Sequence, residues 1–413
     1  MNVTQLQRMD RWLGVPCCLF LTLLRPVLEF RRLPSTPIRR LLFVKLAEQG
    51  STVLAYAAIC EAIKMVGAEN VYFVVFDDNR FILDVMALVP VQNVITISFE
   101  TVGALLRSSF RALRFLRNLR LDAAIDLEFF TRVSALLTFL SGATRRVGFH
   151  PFFNAGPYRG NLMTHRLLYN PHLHTAQTFQ AMVEALKESP AVLPTFGCTP
   201  PTAERLAPQF SPRPEELEEV RALLRAEFGE CPPLILLNPN AGDLLPLRRW
   251  PTDRYVQLAC KLLARFPTIG IAFTGAPGEA AIIDELVREV NSKRCASLAG
   301  RTTLRQLLVL FTLGEVLITN DSGPAHFATL TPIQVVTLFG PETPALYGAR
   351  SPRNSPLWAG VFCSPCVNAY NNRQSPCRNN VCMQAITVEQ VFAEVSRLCH
   401  QRFAPDQCPS RQS

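Results

Sequence analysis

Several familiar signatures are missing from these 413 residues. There is no Gly-x-Gly-x-x-Gly fingerprint and no phosphate-binding P-loop, which removes the common dinucleotide and nucleoside-triphosphate readings. Nucleic acid is not an expected partner, because the chain lacks the aromatic-basic interleaving of single-strand binders and any DNA-reading module. The apolar run WLGVPCCLFLTLL, Trp12 to Leu24, is about 13 residues long, short of the roughly 20 that a spanning helix needs. Arg25 and Pro26 then interrupt it, and no small-x-small cleavage site follows. The 13 cysteines are odd in number, which argues against a complete disulfide framework. Most show no motif spacing and read as reduced thiols. Negative charge is the scarcer sign, 33 acidic against 42 basic side chains, for a formal +9.

That excess thickens near the start, where Arg8, Arg11, Arg25, Arg31, Arg32, Arg39 and Arg40 oppose only Asp10 and Glu29. An anionic partner is expected, and an anionic membrane surface fits better than nucleic acid. Residues 1–36 therefore read as a segment that attaches to a membrane without crossing it. A helix packed on the protein itself and a signal peptide are the other readings.

A chain of this length with 48% hydrophobic content predicts two domains, each with its own core. Apolar runs at 41–46, 71–76, 94–99 and 123–128 alternate with helical patterns at 52–66, 81–88, 101–119 and 132–140. Continuous apolar strands of this kind belong to a parallel sheet covered on both faces. After a proline-rich connection with one charged helix at 214–228, a second series has strands at 234–240, 269–275, 316–319 and 333–340. The expected division is 37–195, a linker at 196–232, 233–385, and a C-terminal helix and tail at 386–413. The fold class is α/β: two Rossmann-like doubly wound domains whose strand ends face an interdomain cleft.

Three strand-to-helix turns in the second half carry the candidate chemistry. In Thr319-Asn320-Asp321-Ser322-Gly323-Pro324-Ala325-His326, Asp321 or Ser322 can cap a helix with Pro324 in its first turn. Amide groups at such an end attract a diphosphate, although a plain cap looks the same in sequence. Asn238-Pro239-Asn240-Ala241-Gly242 leaves the first strand and is followed by Arg248-Arg249-Trp250-Pro251, where an arginine can neutralise a departing diphosphate or simply sit in solvent. In Thr274-Gly275-Ala276-Pro277-Gly278-Glu279, the carboxylate can accept from a ribose or favour the helix start.

In this order and spacing, with Phe339-Gly340-Pro341 and Pro344, the turns resemble family 9 glycosyltransferases, the lipopolysaccharide heptosyltransferases, over roughly 38 to 400. The resemblance implies a GT-B fold, an acceptor-binding first domain, a nucleotide-sugar-binding second domain, and inversion at the anomeric carbon with no required metal. The chain also lacks an Asp-x-Asp pair. By that likeness Arg248 stands where the family has a phosphate-binding lysine. Asn240, Gly275, Glu279, Asn320, Asp321, Ser322, Gly323 and His326 fall on its donor site. The family's Lys-Leu-x-x-x-Gly-Asp is here Lys45-Leu46-Ala47-Glu48-Gln49-Gly50-Ser51, so the aspartate that takes the acceptor proton is replaced by Ser51. Glu48, three residues earlier, is the substitute candidate.

Cys363, Cys366, Cys377 and Cys382 gather four thiols within 363–382, open to reading as a structural zinc clamp, disulfides or thiols. Arg107, Arg111, Arg114, Arg117 and Arg120 make one basic face opposite Leu106, Phe110, Leu113 and Leu116, fit for solvent or for lipid headgroups. The expectation is an inverting transferase carrying a sugar, heptose by resemblance, from a nucleoside-diphosphate donor to a glycolipid acceptor, cytoplasmic and peripherally attached to the inner membrane. A non-catalytic sugar-nucleotide-binding protein of the same fold is the rival, supported by Ser51. A nucleotide-sugar epimerase is a further one.

Overall fold

A computed structural model describes residues 3–29, 37–152, 156–190, 209–242, 245–371 and 373–403. Two compact units emerge: Met1–Pro208 with Ala345–Tyr347 and Cys366–Pro376, and Gln209–Pro344 with Gly348–Pro365 and Cys377–Ser413. The expected linker's first part, 196–208, lies outside the described residues. Its charged helix, α9 (Pro214–Phe228), belongs to the second unit.

In the first unit, β1 (Leu41–Val44), β2 (Val71–Phe76), β3 (Val94–Ile97), β4 (Ala123–Asp126), β5 (Arg145–Phe149) and β6 (His165–Leu167) form one parallel sheet in the order β3-β2-β1-β4-β5-β6. The second unit repeats that order with β7 (Leu234–Asn238), β8 (Gly270–Phe273), β9 (Cys295–Ser297), β10 (Gly314–Asn320), β11 (Gln334–Phe339) and β12 (Asn354–Trp358), arranged β9-β8-β7-β10-β11-β12. Each sheet reverses its winding between its first and fourth strands. Loops at the carboxyl ends of those two strands are where such folds bind ligands. The central strands β1, β4 and β7 are buried along their whole length, which is why they read as unbroken apolar runs.

The strands missing from the sequence reading are β5, β6, β9 and β12. They carry polar residues, Arg145 and Arg146 in β5, His165 and Arg166 in β6. Pairing to a neighbour, not hydrophobic pattern, makes them strands.

The beginning of the chain also departs from expectation. Helices α1 (Val3–Trp12) and α2 (Gly14–Glu29) run on through Pro26, and the stretch Arg8–Glu29 is, by length and composition, long and apolar enough to cross a membrane. Yet α2 packs on α7 (Arg132–Leu140): Cys18 is buried with Ala135 and Phe139, and Gly14 lies against Arg132, where a Cβ would collide. Asp10 accepts from the backbone amides of Arg132 and Val133 at 2.8 and 2.9 Å, capping α7 from outside, and pairs with the Arg132 guanidinium at 3.0 Å. Continued hydrogen bonding upstream and these contacts carry the helix past a proline that would otherwise end it.

Helix α6 (Val102–Asn118) buries Ala112 and Leu116 against β1, β2 and β4. Leu106 and Phe110, expected on that inner side, are instead 65% and 69% exposed and flank the arginines. The helix meets the sheet along a narrower stripe than its apolar content suggests.

Candidate active site

The first unit presents the loop after β1 and the helix α3 (Gln49–Leu54). Lys45 is buried and donates to Glu128 Oε1 at 2.9 Å and to the Ala47 carbonyl at 2.5 Å; the Ala47 amide donates to the same Glu128 oxygen at 3.0 Å. Asn79 closes the other side, its Nδ2 donating to the Lys45 carbonyl at 2.8 Å and to Thr52 Oγ1 at 3.1 Å. This clamp holds Glu48 at φ 64°, a left-handed conformation costly for a side-chain-bearing residue. Its Oε1 pairs with Arg373, whose guanidinium also lies 4.9 Å from the centre of the Tyr347 ring. Ser51 Oγ donates back to the Glu48 carbonyl at 2.9 Å. Glu48 and Ser51 are thus brought together, with an arginine 325 positions away in sequence.

Behind that loop, at the end of β4, Asp126 is wholly buried and pairs with Arg159, itself 1% exposed. Ser134 Oγ donates to Asp126 at 2.9 Å. Burial pushes the Asp126 carboxyl up from its usual range, against the pull of the Arg159 guanidinium. Arg159 Nε and Nη1 have no protein partner. Neither residue was legible as functional in the sequence.

In the second unit, Asn320 sits at the end of β10 beside β7 and is fully buried. Its Oδ1 accepts from the Trp250 amide at 3.0 Å and the Tyr255 hydroxyl at 3.3 Å, while Nδ2 donates to the Pro239 carbonyl at 2.8 Å. Asn320 therefore braces the loops after β7 and β10, and its side chain is spent inside the protein. Trp250, also fully buried, stacks edge-on to Tyr255 and donates from Nε1 to the Ile386 carbonyl at 2.9 Å. That anchor fixes Arg248 two residues before it. Arg248 Nη2 donates to the Ala241 carbonyl at 3.2 Å and Nη1 lies 3.4 Å from Glu342, a buried carboxylate that sequence reasoning missed. Arg248 Nε and Asn240 Nδ2 are buried without a hydrogen-bond partner in the protein.

Other site residues behave differently from expectation. Ser322 occupies the N-cap position of α13 (Gly323–Ala328), but its hydroxyl makes no cap bond. It donates to the Asn320 carbonyl at 3.1 Å instead. Asp321 is buried just past the end of β10, and its amide donates to the Leu338 carbonyl at 3.0 Å. The helix has only six residues, too short for much of a dipole. His326 is buried in it and its carbonyl receives the Thr329 hydroxyl at 2.6 Å. At Gly323 a Cβ would find ordinary room, 3.4 Å from Phe327. Gly275 is different: a Cβ there would run into Ile283. Glu279 Oε2 accepts from the Ala276 amide at 2.7 Å, closing its own turn.

The zinc clamp, one of three readings of the cysteine cluster, is not assembled among the described residues. Among the described residues no group of three or more histidine, cysteine or acidic side chains is placed to hold a metal, and none of the four cysteines forms a disulfide. Cys382 packs into the second unit's core, Cys377 Sγ donates to the Asn379 carbonyl at 3.1 Å, Cys366 Sγ meets Ser375 Oγ at 3.5 Å, and Cys363 is exposed. Asparagines tie the loop: Asn371 Nδ2 donates to the Cys366 carbonyl at 2.8 Å, and Asn380 Nδ2 to the Leu247 and Arg249 carbonyls at 3.1 and 2.9 Å.

Two Rossmann-like units of identical strand order make up a GT-B architecture, the fold shared with solved heptosyltransferases. The chain belongs to glycosyltransferase family 9 (heptosyltransferase), whose model matches residues 109–375, well over half of it. It is 30% identical over 142 residues to lipopolysaccharide heptosyltransferase 2 of Salmonella typhimurium, covering 33% of this chain and 40% of that protein. To the Escherichia coli K12 enzyme of the same name it is 28% identical over 217 residues, 51% of this chain and 58% of the relative. The matched stretches thus span about half the length of these curated relatives. The solved E. coli ADP-heptose lps heptosyltransferase II shares the fold with a TM-score of 0.62 and 19% identity, over 88% of this chain and 99% of that one. Glu48 and Ser51 precede the region that the family model matches.

Proposed function

We propose that this protein is an inverting glycosyltransferase that moves a sugar, heptose by kinship, from a nucleoside-diphosphate sugar to a lipopolysaccharide-type glycolipid. The observation that carries the reading is the pair of buried donors Arg248 Nε and Asn240 Nδ2, left without protein partners in the loop that follows β7. A buried donor without an acceptor costs about 1–3 kcal/mol, and an anionic ligand that supplies the acceptors recovers it. A diphosphate supplies several, and the charge growing on it as the glycosidic bond breaks strengthens the same contacts. ADP-heptose, after which the solved E. coli heptosyltransferase II is named, is the donor to try first.

In the first unit Glu48 would take the acceptor hydroxyl's proton as that oxygen attacks the anomeric carbon from the face opposite the departing diphosphate. One displacement gives inversion, and the proton ends on the Glu48 carboxylate. Arg373 keeps that carboxylate in place until the acceptor arrives. No metal or cofactor enters this route; a structural zinc in the cysteine loop is a separate matter for metal analysis. A lipid-anchored acceptor puts the work at the cytoplasmic face of the inner membrane, with the enzyme peripherally attached.

A second reading has its own observation. Glu48 is engaged by Arg373, and Ser51 is turned onto the Glu48 backbone, so a sugar-nucleotide-binding protein without catalysis is the rival. Calorimetry with ADP and ADP-heptose, followed by transfer assays to lipid-A core acceptors, separates the two. Binding with turnover supports transfer and binding without turnover supports the rival. If no nucleotide sugar binds at all, both readings fail.

A further inference from the structure

One surface of the first unit is left unexplained by donor or acceptor chemistry. Helices α6 and α7 cover the same face of its sheet: Ala112 and Leu116 of α6 and Leu137 of α7 pack together on Leu42, Val44 and Ala124. Helix α2 extends that layer along α7 toward β5, where Glu29 pairs with Arg146, the β5 residue in register with Ala124. The outer sides of α1, α2 and α6 carry Trp12, Phe20, Leu23, Val27, Leu106 and Phe110, each between 60% and 77% exposed. Single exposed apolar residues are ordinary on a protein surface; six large ones on one helical layer are not.

The charges of this layer are sorted by direction. Its two N-terminal carboxylates point inward, Asp10 onto α7 and Arg132, Glu29 onto Arg146 and Arg25. Arg8 and Arg11 remain on the exposed side. Helix α6 has no acidic residue and exposes Arg107, Arg111 and Arg114 beside Leu106 and Phe110. Large apolar side chains flanked by arginine, with the acids withdrawn, match the boundary between anionic headgroups and acyl chains.

We propose that the outer face of α1, α2 and α6 docks on an anionic phospholipid bilayer, with α2 lying in the plane of the membrane. Crossing, which the length of Arg8–Glu29 alone permits, conflicts with what α2 already holds. Arg25 donates to the Asn161 and Met163 carbonyls at 2.6 and 3.2 Å, and the Thr22 hydroxyl accepts from the Asn161 amide at 2.9 Å. The Arg146 side chain is wholly buried against Glu29. Pulling the helix into hydrocarbon would strip Arg146 of its carboxylate and carry Arg25 and Glu29 with it, a large penalty for buried charge. In-plane docking keeps every one of these contacts.

This surface is independent of the transfer reaction, so its test needs no sugar donor. The full-length protein is sedimented with vesicles of phosphatidylcholine alone or with 30% phosphatidylglycerol, and native membranes are washed with alkaline carbonate. Binding to the anionic vesicles, weakened by salt, is expected, with release from native membranes by carbonate. Phe20→Glu with Leu23→Glu should lower vesicle binding by more than about tenfold while thermal unfolding stays unchanged. Arg111→Glu with Arg114→Glu should lower it by roughly tenfold, on anionic vesicles only. The proposal is overturned if wild-type protein ignores the anionic vesicles or if the Phe20/Leu23 variant binds as wild type does. Resistance to carbonate would mean that the helix crosses. A wild-type dimer that this variant turns into a monomer, without vesicle binding, would assign the face to a second copy of the chain.

Discussion

The two switch points share a topology and differ in how they are held. In the first unit the loop after β1 is tied down by charge: Lys45 to Glu128, Glu48 to Arg373, and Asp126 to Arg159 behind them. In the second unit the loops after β7 and β10 are tied chiefly by a neutral amide, Asn320, and by the buried Trp250, and the arginine nearby, although 3.4 Å from Glu342, keeps a donor unspent. Ionic bracing fixes a carboxylate in a strained backbone position; neutral bracing leaves cationic capacity for a ligand. On the proposed reading, one strand order serves proton removal in one half and anion binding in the other.

That contrast is tested first where the largest effect is expected. Glu48→Gln should lower kcat by about a hundredfold or more, the range for loss of a general base, and leave ADP affinity untouched. An unchanged kcat would move the base elsewhere. Arg248→Ala should weaken ADP binding by roughly 10–100-fold, with Arg248→Lys intermediate because it keeps charge and loses the fork. Equal affinity in titration calorimetry would detach Arg248 from the diphosphate.

The bracing itself comes next. Glu128→Ala leaves Lys45 buried without its carboxylate and should cost about 3–5 kcal/mol in denaturant unfolding. Asn320→Ala removes neutral hydrogen bonds only and should cost about 2–3 kcal/mol. If Asn320→Ala were the more damaging, the distinction between ionic and neutral bracing would not hold.

The smallest effect concerns acid. Burial pushes His165 down to about 4, and burial together with Arg166 and Arg159 does the same to His150. Both are neutral when folded, whereas in the unfolded chain they take up a proton near 6.5. Between 6.5 and about 4 the unfolded state binds more protons, so stability falls as pH falls. A loss of about 2 kcal/mol from pH 7.5 to pH 5 is expected after allowing for solvent screening. His165→Gln should remove about half of that dependence in chemical denaturation, and an unaltered slope would take His165 out of the acid sensitivity.

How far the sequence reveals all this depends on the range of the interaction concerned. The runs at 71–76 and 132–140 coincide with β2 and α7 because a buried central strand and an amphipathic helix announce themselves locally. Strands β5 and β6 stayed hidden, since Arg145, Arg146, His165 and Arg166 follow no strand pattern until neighbouring strands and Glu29 accept them. Gly275 was legible as a turn residue, but its collision with Ile283 needed the packed helix. Glu48 was singled out by its place in the loop; that Arg373 reaches it was not visible.

By itself, the sequence determined the alternation of strands and helices, the two sheets and the position of the donor-side turns, because these depend on periodicity and short-range turn chemistry. It also carried the likeness to the heptosyltransferases. Tertiary structure decided which polar residues are spent and which remain available: Asn320 and Glu279 are consumed by bracing and turn closure, while Arg248 and Asn240 keep a donor each. It decided as well that the apolar stretch near the start is a docked helix with its acids turned inward. The physical reason is the same in each case. A hydrogen bond or ion pair needs a partner in space, and partners such as Arg373 for Glu48 lie hundreds of residues away along the chain.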